Sequence, residues 1–426
     1  MVKLAVDDIG DCRGKRVLVR ADFNVPLDQA GKITDDFRVQ AALPTIRRVS
    51  ESGGKVILMS HLGRPDGAEA RLSLKPVAEV LSQALDKPVA LAPDCVGAEV
   101  ERLVVQMQDG DILLLENLRF HREENENDPE FAGRLAALGD IYINDAFASA
   151  HRVQASIVGI THHLEICAAG DLMQKEISAF IDVLTEPERP LVVVLGGDDF
   201  AEKKEFIDHL WERTDQFLVG GKICLPFLNA QGHDVGNWPG KEEQTKAAGE
   251  ILARDEDKLV LPTDAFVSGE EEDQDLGIMQ KGHRVVFFSV DLTPQVQELM
   301  QNIPEFVEQM QQPVVQLPPG ESVADIGVGS GFKYYEIINA AKTVIWTGPM
   351  GDFDDPLFAT GTKSVAGAMM LAVTVGAKAI VGGYDCLPMI DKFDLQKDSF
   401  SHISTGHRAF FECLKGRSLP GIEALS

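Results

Sequence analysis

In both halves of the chain a short β-branched or aliphatic run is followed by a small or polar cluster and then by a stretch with helical periodicity. Continuous apolar strands alternating with helices indicate parallel sheets covered on both faces, so the pattern predicts an α/β fold of the doubly wound, Rossmann-like kind. In the first half strands are predicted at Arg16 to Arg20, Lys55 to Met59, Ile112 to Leu115 and Ile141 to Ile143, with helices such as Asp36 to Glu51 and Ser73 to Gln83 between them. In the second half they are predicted at Leu191 to Leu195, Phe217 to Val219, Leu259 to Leu261, Thr343 to Trp346 and Ala379 to Val381. Such sheets bind ligands beyond the carboxyl ends of their strands, so function is sought in the residues that follow each one.

A chain of 426 residues is too long for one core and suits two domains of roughly 200 residues each. A helical stretch, Gln174 to Leu184, ends in Glu186-Pro187-Glu188-Arg189-Pro190, and prolines flanking charge mark a helix end and connector. Two lobes are therefore expected, residues 1–185 and 190–405. Acidic stretches at Glu123 to Glu130 and Gly269 to Asp275 read as solvated loops. The composition, 44% hydrophobic and 25% charged, is that of a soluble globular enzyme. No apolar run approaches the roughly 20 residues of a membrane span, and Met1 to Gly10 lacks a signal-peptide core, so a cytoplasmic protein is expected. Cys12, Cys95, Cys167, Cys224, Cys386 and Cys413 lie dozens of residues apart with no CxxC pair, which argues against a disulfide framework or a zinc site. With 40 basic and 67 acidic residues the net charge is −27, which repels nucleic acid and anionic membrane alike. A site for a small anion must then be a local concentration of positive charge.

Four predicted strands of the first half end in residues suited to that task. They give Arg20-Ala21-Asp22-Phe23-Asn24-Val25-Pro26 followed by Arg38, then Ser60-His61-Leu62-Gly63-Arg64-Pro65, then Glu116-Asn117-Leu118-Arg119-Phe120-His121, and finally Asn144-Asp145-Ala146-Phe147 with His151-Arg152. Any one arginine read alone is more simply a surface partner for this chain's carboxylates. The whole set, placed by one strand-end rule, is costly to assemble without an anion, because like charges repel strongly where water is partly excluded. Guanidinium forks match phosphate and carboxylate oxygens bidentately, and Asp22 and Asn24 can accept from a substrate hydroxyl.

These segments resemble the phosphoglycerate kinase family: Val17 to Pro26 is similar to its signature, and SHLGRPDG (Ser60 to Gly67), LLLENLRFH (Leu113 to His121) and NDAFASAHR (Asn144 to Arg152) follow in the family's order. The similarity continues through LPTDAF, WTGPMGDFD, FATGTK, SHISTG and LPGIEALS, nearly to the end of the chain. The resemblance implies reversible transfer of the ATP γ-phosphoryl to the carboxylate of 3-phosphoglycerate, giving 1,3-bisphosphoglycerate and ADP, in a monomeric enzyme that uses Mg²⁺. It implies that Asp22, Asn24, Arg38, His61, Arg64, Arg119 and Arg152 bind 3-phosphoglycerate, with Arg38 also stabilising the group in flight. It further implies that the segment 406–426 folds back onto the first lobe, and that a hinge closes to expel water. The acceptor is already ionised at pH 7 and needs no general base, so the lack of protein-kinase HRD and DFG motifs does not count against a kinase.

For the second lobe the resemblance implies a nucleotide site at Gly196, Gly197, Lys203, Gly220, Gly221, Asp354, Gly383, Asp385, Thr405 and Gly406, with Lys203 catalytic and Asp385 associated with Mg²⁺. Here the sequence departs from the family. Asp199 stands where a lysine is usual; Lys222, Tyr384, Cys386, His407 and Arg408 stand at glycine or threonine positions, and Thr347 at an asparagine. Reversing a unit charge roughly 4 Å from a phosphoryl group forfeits several times about 1 kcal/mol even after solvent discounting, enough to slow transfer by orders of magnitude. Two readings stay open beside full activity. Lys222, His407 and Arg408 restore the positive charge in a site with altered donor geometry, or the protein is a non-catalytic homologue that only binds phosphoglycerate.

Other classes fit less well. Ala324-Asp325-Ile326-Gly327-Val328-Gly329-Ser330-Gly331 is similar to a methyltransferase glycine motif but comes late, after Pro318-Pro319-Gly320, and no GxGxxG joins an early strand to its helix. His162-His163 reads as a surface doublet, Trp211 and Trp238 as packing residues, and Met369-Met370 as core.

Overall fold

The computed structural model describes residues 3–240, 242–255, 257–268, 283–288, 317, 321–383 and 385–425. The acidic stretch 269–275, residues 318–320 and Tyr384 lie outside them. Two compact units emerge, Met1–Phe180 together with Arg408–Ser426, and Ile181–His407.

The first unit is built on β1 (Arg16–Arg20), β2 (Lys55–Met59), β3 (Val89–Leu91), β4 (Ile112–Leu114), β5 (Ile141–Asn144) and β6 (Cys167–Ala169). They form one parallel sheet in the order β3-β4-β2-β1-β5-β6. Val17, Leu18 and Val19 have no exposed surface, as expected of a central strand packed on both faces. Helix Lys75–Leu85 covers one face by burying Val77, Ala78, Leu81 and Leu85, a single stripe at helical spacing. The chain leaves β1 towards β2 on one side and reaches β5 on the other, so the topological switch falls beside β1. Arg20, its last residue, is in register with Met59 and Asn144. Three loops therefore leave the sheet side by side.

The second unit repeats this plan with β7 (Leu191–Leu195), β8 (Gln216–Val219), β9 (Leu259–Val260), β13 (Thr343–Thr347), β14 (Lys378–Val381) and β15 (His402–Ile403), ordered β15-β14-β13-β7-β8-β9. A separate antiparallel sheet joins β10 (Asp264–Ser268) to β11 (His283–Phe287) and β12 (Ser322–Ile326). No described helix is long and apolar enough to cross a membrane.

The predicted strands appear within a residue or so of their expected bounds. One reading is corrected. Glu123 to Glu130 is not a solvated loop: Arg122–Glu126 and Pro129–Ala136 are helices. Asp128 caps the second by accepting from Phe131 N–H, ahead of Pro129 in its first turn. Glu124 is fully buried because Ser156 takes up both of its carboxylate oxygens.

Candidate functional site

The loops after β1, β2 and β4 are tied together by main-chain and side-chain hydrogen bonds. Phe23 N–H donates to Ser60 Oγ at 2.8 Å, Gly63 N–H to Asn24 Oδ1 at 2.8 Å, and Leu118 N–H to Ser60 O at 3.1 Å. Asn117 clamps Leu62 from both sides, accepting its N–H and donating to its carbonyl. On this frame Asp22 pairs with Arg38 at 2.8 Å and accepts from Asn24 N–H, while Arg119 donates to Gly63 O at 2.7 Å. Asp22, His61 and Arg119 are buried, Asn24, Arg38 and Arg152 partly so, and Arg64 is exposed one residue beyond Gly63.

Electrostatics show which of these residues share one neighbourhood. Burial lowers the Arg119 guanidinium to about 10, and the nearby charges of Arg20 and Arg152 add to the effect. Burial opposes ionisation of Asp22, yet Arg38 and Arg20, helped by the hydrogen bond from Asn24 N–H, hold its carboxyl well below the usual range. His61 is driven well below 6.5 by burial, with Arg20, Arg119 and Arg38 adding to it against Asp22, so it is neutral at pH 7. Arg20, Arg38, Arg119 and Arg152 thus face Asp22 and Glu124, four cations against two anions. The surplus of two suits a phosphate monoester, which carries close to two negative charges at neutral pH. His151, named with Arg152 after the fourth strand but given no role there, lies beside it with both ring nitrogens buried and unpartnered. Burial, Arg152 and Arg408 lower it to about 4.

In the second unit a pocket of about 310 Å³ is lined by residues that include Gly197, Asp198, Gly221, Lys222, Asp325, Phe353 and Asp385. Its floor is a seam where loops from β7, β8 and β13 meet backbone to backbone. Gly197 N–H donates to Pro349 O and Gly221 N–H to Met350 O, both at 2.8 Å. A Cβ on Gly221, whose φ is +58°, would stand 2.6 Å from Gly197 N, and one on Gly196 would stand 2.1 Å from Pro349 O. The close approach that demands glycine here is made by the protein's own main chain.

Lys203 is buried, 2.9 Å from Glu202 Oε1 and 3.4 Å from Thr347 Oγ1. Asp199 does not line the pocket; exposed, it caps helix Phe200–Leu210 by accepting from Glu202 N–H at 3.0 Å. Burial raises the Asp385 carboxyl, and Asp198 adds to the rise against Lys203. Asp354 is exposed and paired with Lys392 at 2.8 Å, next to Phe353 of the pocket wall. Gly196, Gly220, Gly383, Thr405 and Gly406 are not among the lining residues, although Ser404 N–H donates to Val381 O, which sets the Thr405-Gly406 turn beside the end of β14. Of the three cations that could replace the missing lysine, Lys222 lines the pocket. His407 stands in the left-handed region at φ 39°, and Arg408 belongs to the first unit, beside Glu412.

The wide spacing of cysteines hid one grouping. Asp94, Cys95 and His121 place potential ligand atoms within 4.8 Å of one another. His121 Nε2 is held by Asp94 Oδ1 at 2.7 Å, and burial raises the Cys95 thiol well above its usual range.

Comparison with known proteins agrees across the chain. Residues 6–417 match the family model described as phosphoglycerate kinase. The chain is similar to the phosphoglycerate kinases of Chlorobaculum tepidum (44% identical) and Chlorobium chlorochromatii (43%), each over 100% of both sequences. Among solved structures it is similar to phosphoglycerate kinase from Coxiella burnetii, with a TM-score of 0.80 at 34% identity, covering 99% of this chain and 98% of that one. The enzyme from Pyrococcus horikoshii gives 0.81 at 29% with the same coverage.

Proposed function

Because the chain belongs to the phosphoglycerate kinase family, we infer that it catalyses reversible phosphoryl transfer between ATP and the carboxylate of 3-phosphoglycerate, giving 1,3-bisphosphoglycerate and ADP. The observation that carries this reading is the surplus of buried and half-buried positive charge gathered after β1, β4 and β5 in a molecule of net charge −27.

In this reading Arg38, Arg64, Arg119 and Arg152 take the phosphate and carboxylate of 3-phosphoglycerate, while Asp22, Asn24 and neutral His61 address its hydroxyl and remaining oxygens. Arg38, tethered by Asp22, is the cation nearest the transfer. The nucleotide is assigned to the seam pocket, with Gly196, Gly197, Gly220 and Gly221 shaping its floor, Lys203 beside the phosphates, and Asp354, Gly383, Thr405 and Gly406 near its rim. Asp385 fits a role as Mg²⁺ ligand, because burial and Asp198 disfavour its charge and a divalent cation would restore it. Bound there, Mg²⁺ would offset charge on the nucleotide phosphates. The protein residues supply alignment and charge cancellation, which is nearly all that phosphoryl transfer requires. A cytoplasmic monomer with lobes 1–185 and 190–405, a returning segment 406–426 and a closing hinge belongs to the same proposal; small-angle scattering with both ligands should then give a smaller radius of gyration.

Asp199 decides between full activity and the alternatives. As a helix cap it turns its carboxylate to Glu202 N–H, which favours a tolerated substitution over a blocked site. The test is calorimetry with 3-phosphoglycerate and Mg-ATP separately, then a coupled assay on wild type and Asp199→Lys. Expected are heat with each ligand, turnover by the wild type, and kcat/KM at least tenfold higher in the variant at a cost of about 1 kcal/mol in stability from the lost cap. Heat with phosphoglycerate alone and no turnover would establish the non-catalytic homologue; no heat with phosphoglycerate would overturn the assignment.

A further inference from the structure

Arg20 belongs to the cationic cluster around Asp22, His61 and Arg119, yet its guanidinium is consumed by the protein. It has no exposed surface; Nη1 donates to Ala21 O, Nε to Ser156 Oγ at 2.9 Å, and Nη2 contacts His61 Nδ1 at 3.1 Å. We propose that Arg20 is a positioning residue, locked by Ser156 and Glu124, which holds His61 as the tautomer with its proton on Nε2. This rests on the reading of the first unit as the phosphoglycerate site, and it deepens that reading.

The direction of every bond in the chain is fixed by chemistry. A guanidinium only donates, so Ser156 Oγ and His61 Nδ1 both accept from Arg20. Ser156, having accepted, sends its own proton to Glu124 Oε1 at 2.6 Å, while its backbone N–H donates to Oε2 at 2.9 Å. Glu124 is a buried carboxylate and an acceptor only. The relay therefore runs from one buried anion through a hydroxyl and a guanidinium to an imidazole, and it leaves Nε2 as the protonated nitrogen of His61.

The consequence for an anionic ligand is a matter of sign. His61 with a proton on Nε2 presents a hydrogen-bond donor to a carboxylate or phosphate oxygen. The other tautomer would present a lone pair to a negative charge. Glu124 has a second effect, because it balances Arg20 in a cluster that already contains Arg38, Arg119 and Arg152. Among the described hydrogen bonds Glu124 and Ser156 reach His61 only through Arg20, while the charge of Glu124 also acts on Arg119.

The test uses the intact protein labelled with ¹⁵N-histidine, in which His61 is assigned by its disappearance in His61→Gln. The expected spectrum at pH 7.5 shows a neutral ring protonated at Nε2. Ser156→Ala should mix the tautomers and raise KM for 3-phosphoglycerate about tenfold, a loss near one ordinary charged hydrogen bond, with KM for Mg-ATP unchanged. A wild-type ring protonated at Nδ1, or doubly protonated, overturns the proposal; so does a folded Ser156→Ala that changes neither spectrum nor KM. If that variant does not fold, the wild-type spectrum alone decides. A His61→Gln protein with unchanged KM for phosphoglycerate would remove the underlying site reading, whereas a raised KM together with an Nδ1-protonated wild type would sink this proposal alone.

Discussion

Asp145 directly follows β5 and accepts from Met173 N–H at 3.1 Å, near the start of helix Asp171–Thr185, while its Oδ2 is buried without a partner. Burial raises its carboxyl to about 7, against hydrogen bonds from Thr45 and from the backbone of Met173 and Leu172. In the unfolded chain the same group titrates near 3.9. Between about pH 4 and pH 7 the unfolded chain releases this proton and the folded chain keeps it, so stability falls as pH rises through that window. Asp145→Asn should therefore show a shallower decline than wild type in urea unfolding across the window, and should be about 1 kcal/mol more stable at pH 8; parallel pH profiles would refute this. At this scale the sequence revealed the arginines and His61 because strand ends are short and easily found. It did not reveal Glu124 or Ser156, whose partners lie 32 and 136 residues away and whose local surroundings look like an acidic surface and a polar loop.

Among the elements, strands of the two parallel sheets that are buried on both faces were legible as continuous apolar runs, β1 and β7 above all. The short β3, β6 and β15 were not, since alanine, cysteine or histidine dilutes the aliphatic run that marks the equally short β4 and β9. The sheet of β10, β11 and β12 was missed for another reason. Asp264 and Asp325 interrupt its apolar pattern, because both carboxylates are buried as acceptors for neighbouring backbone amides. The glycine seam makes the sharpest prediction for an element. Gly221→Ala combines a left-handed φ with a Cβ 2.6 Å from main chain, and should cost more than about 1 kcal/mol. Mg-ATP affinity should fall while phosphoglycerate affinity stays within twofold in paired titrations; equal losses for both ligands would mean the seam is not specific to the nucleotide site.

For the molecule as a whole, each unit has its own core, one around Val19 and Leu58, the other around Val194 and Trp346. A ligand held by one unit alone should stabilise that unit first. At 100 times its dissociation constant, 3-phosphoglycerate adds about 2.7 kcal/mol to whatever it binds. Hydrogen exchange at that concentration should slow in β1, β2, β4 and β5 and leave β7, β8 and β13 nearly unchanged; uniform protection would contradict a separate acceptor site. The two-unit organisation itself could be anticipated from chain length and the repeated alternation of strands and helices. The seam under the pocket is made of peptide groups, that of Thr347 among them, and the side chains of Thr347, Lys222 and Asp199 attach beside it without forming it. A lobe moulded from main chain can change its reactive side chains one at a time and keep its shape, so exchanging Asp199 for lysine needs no refolding of the scaffold.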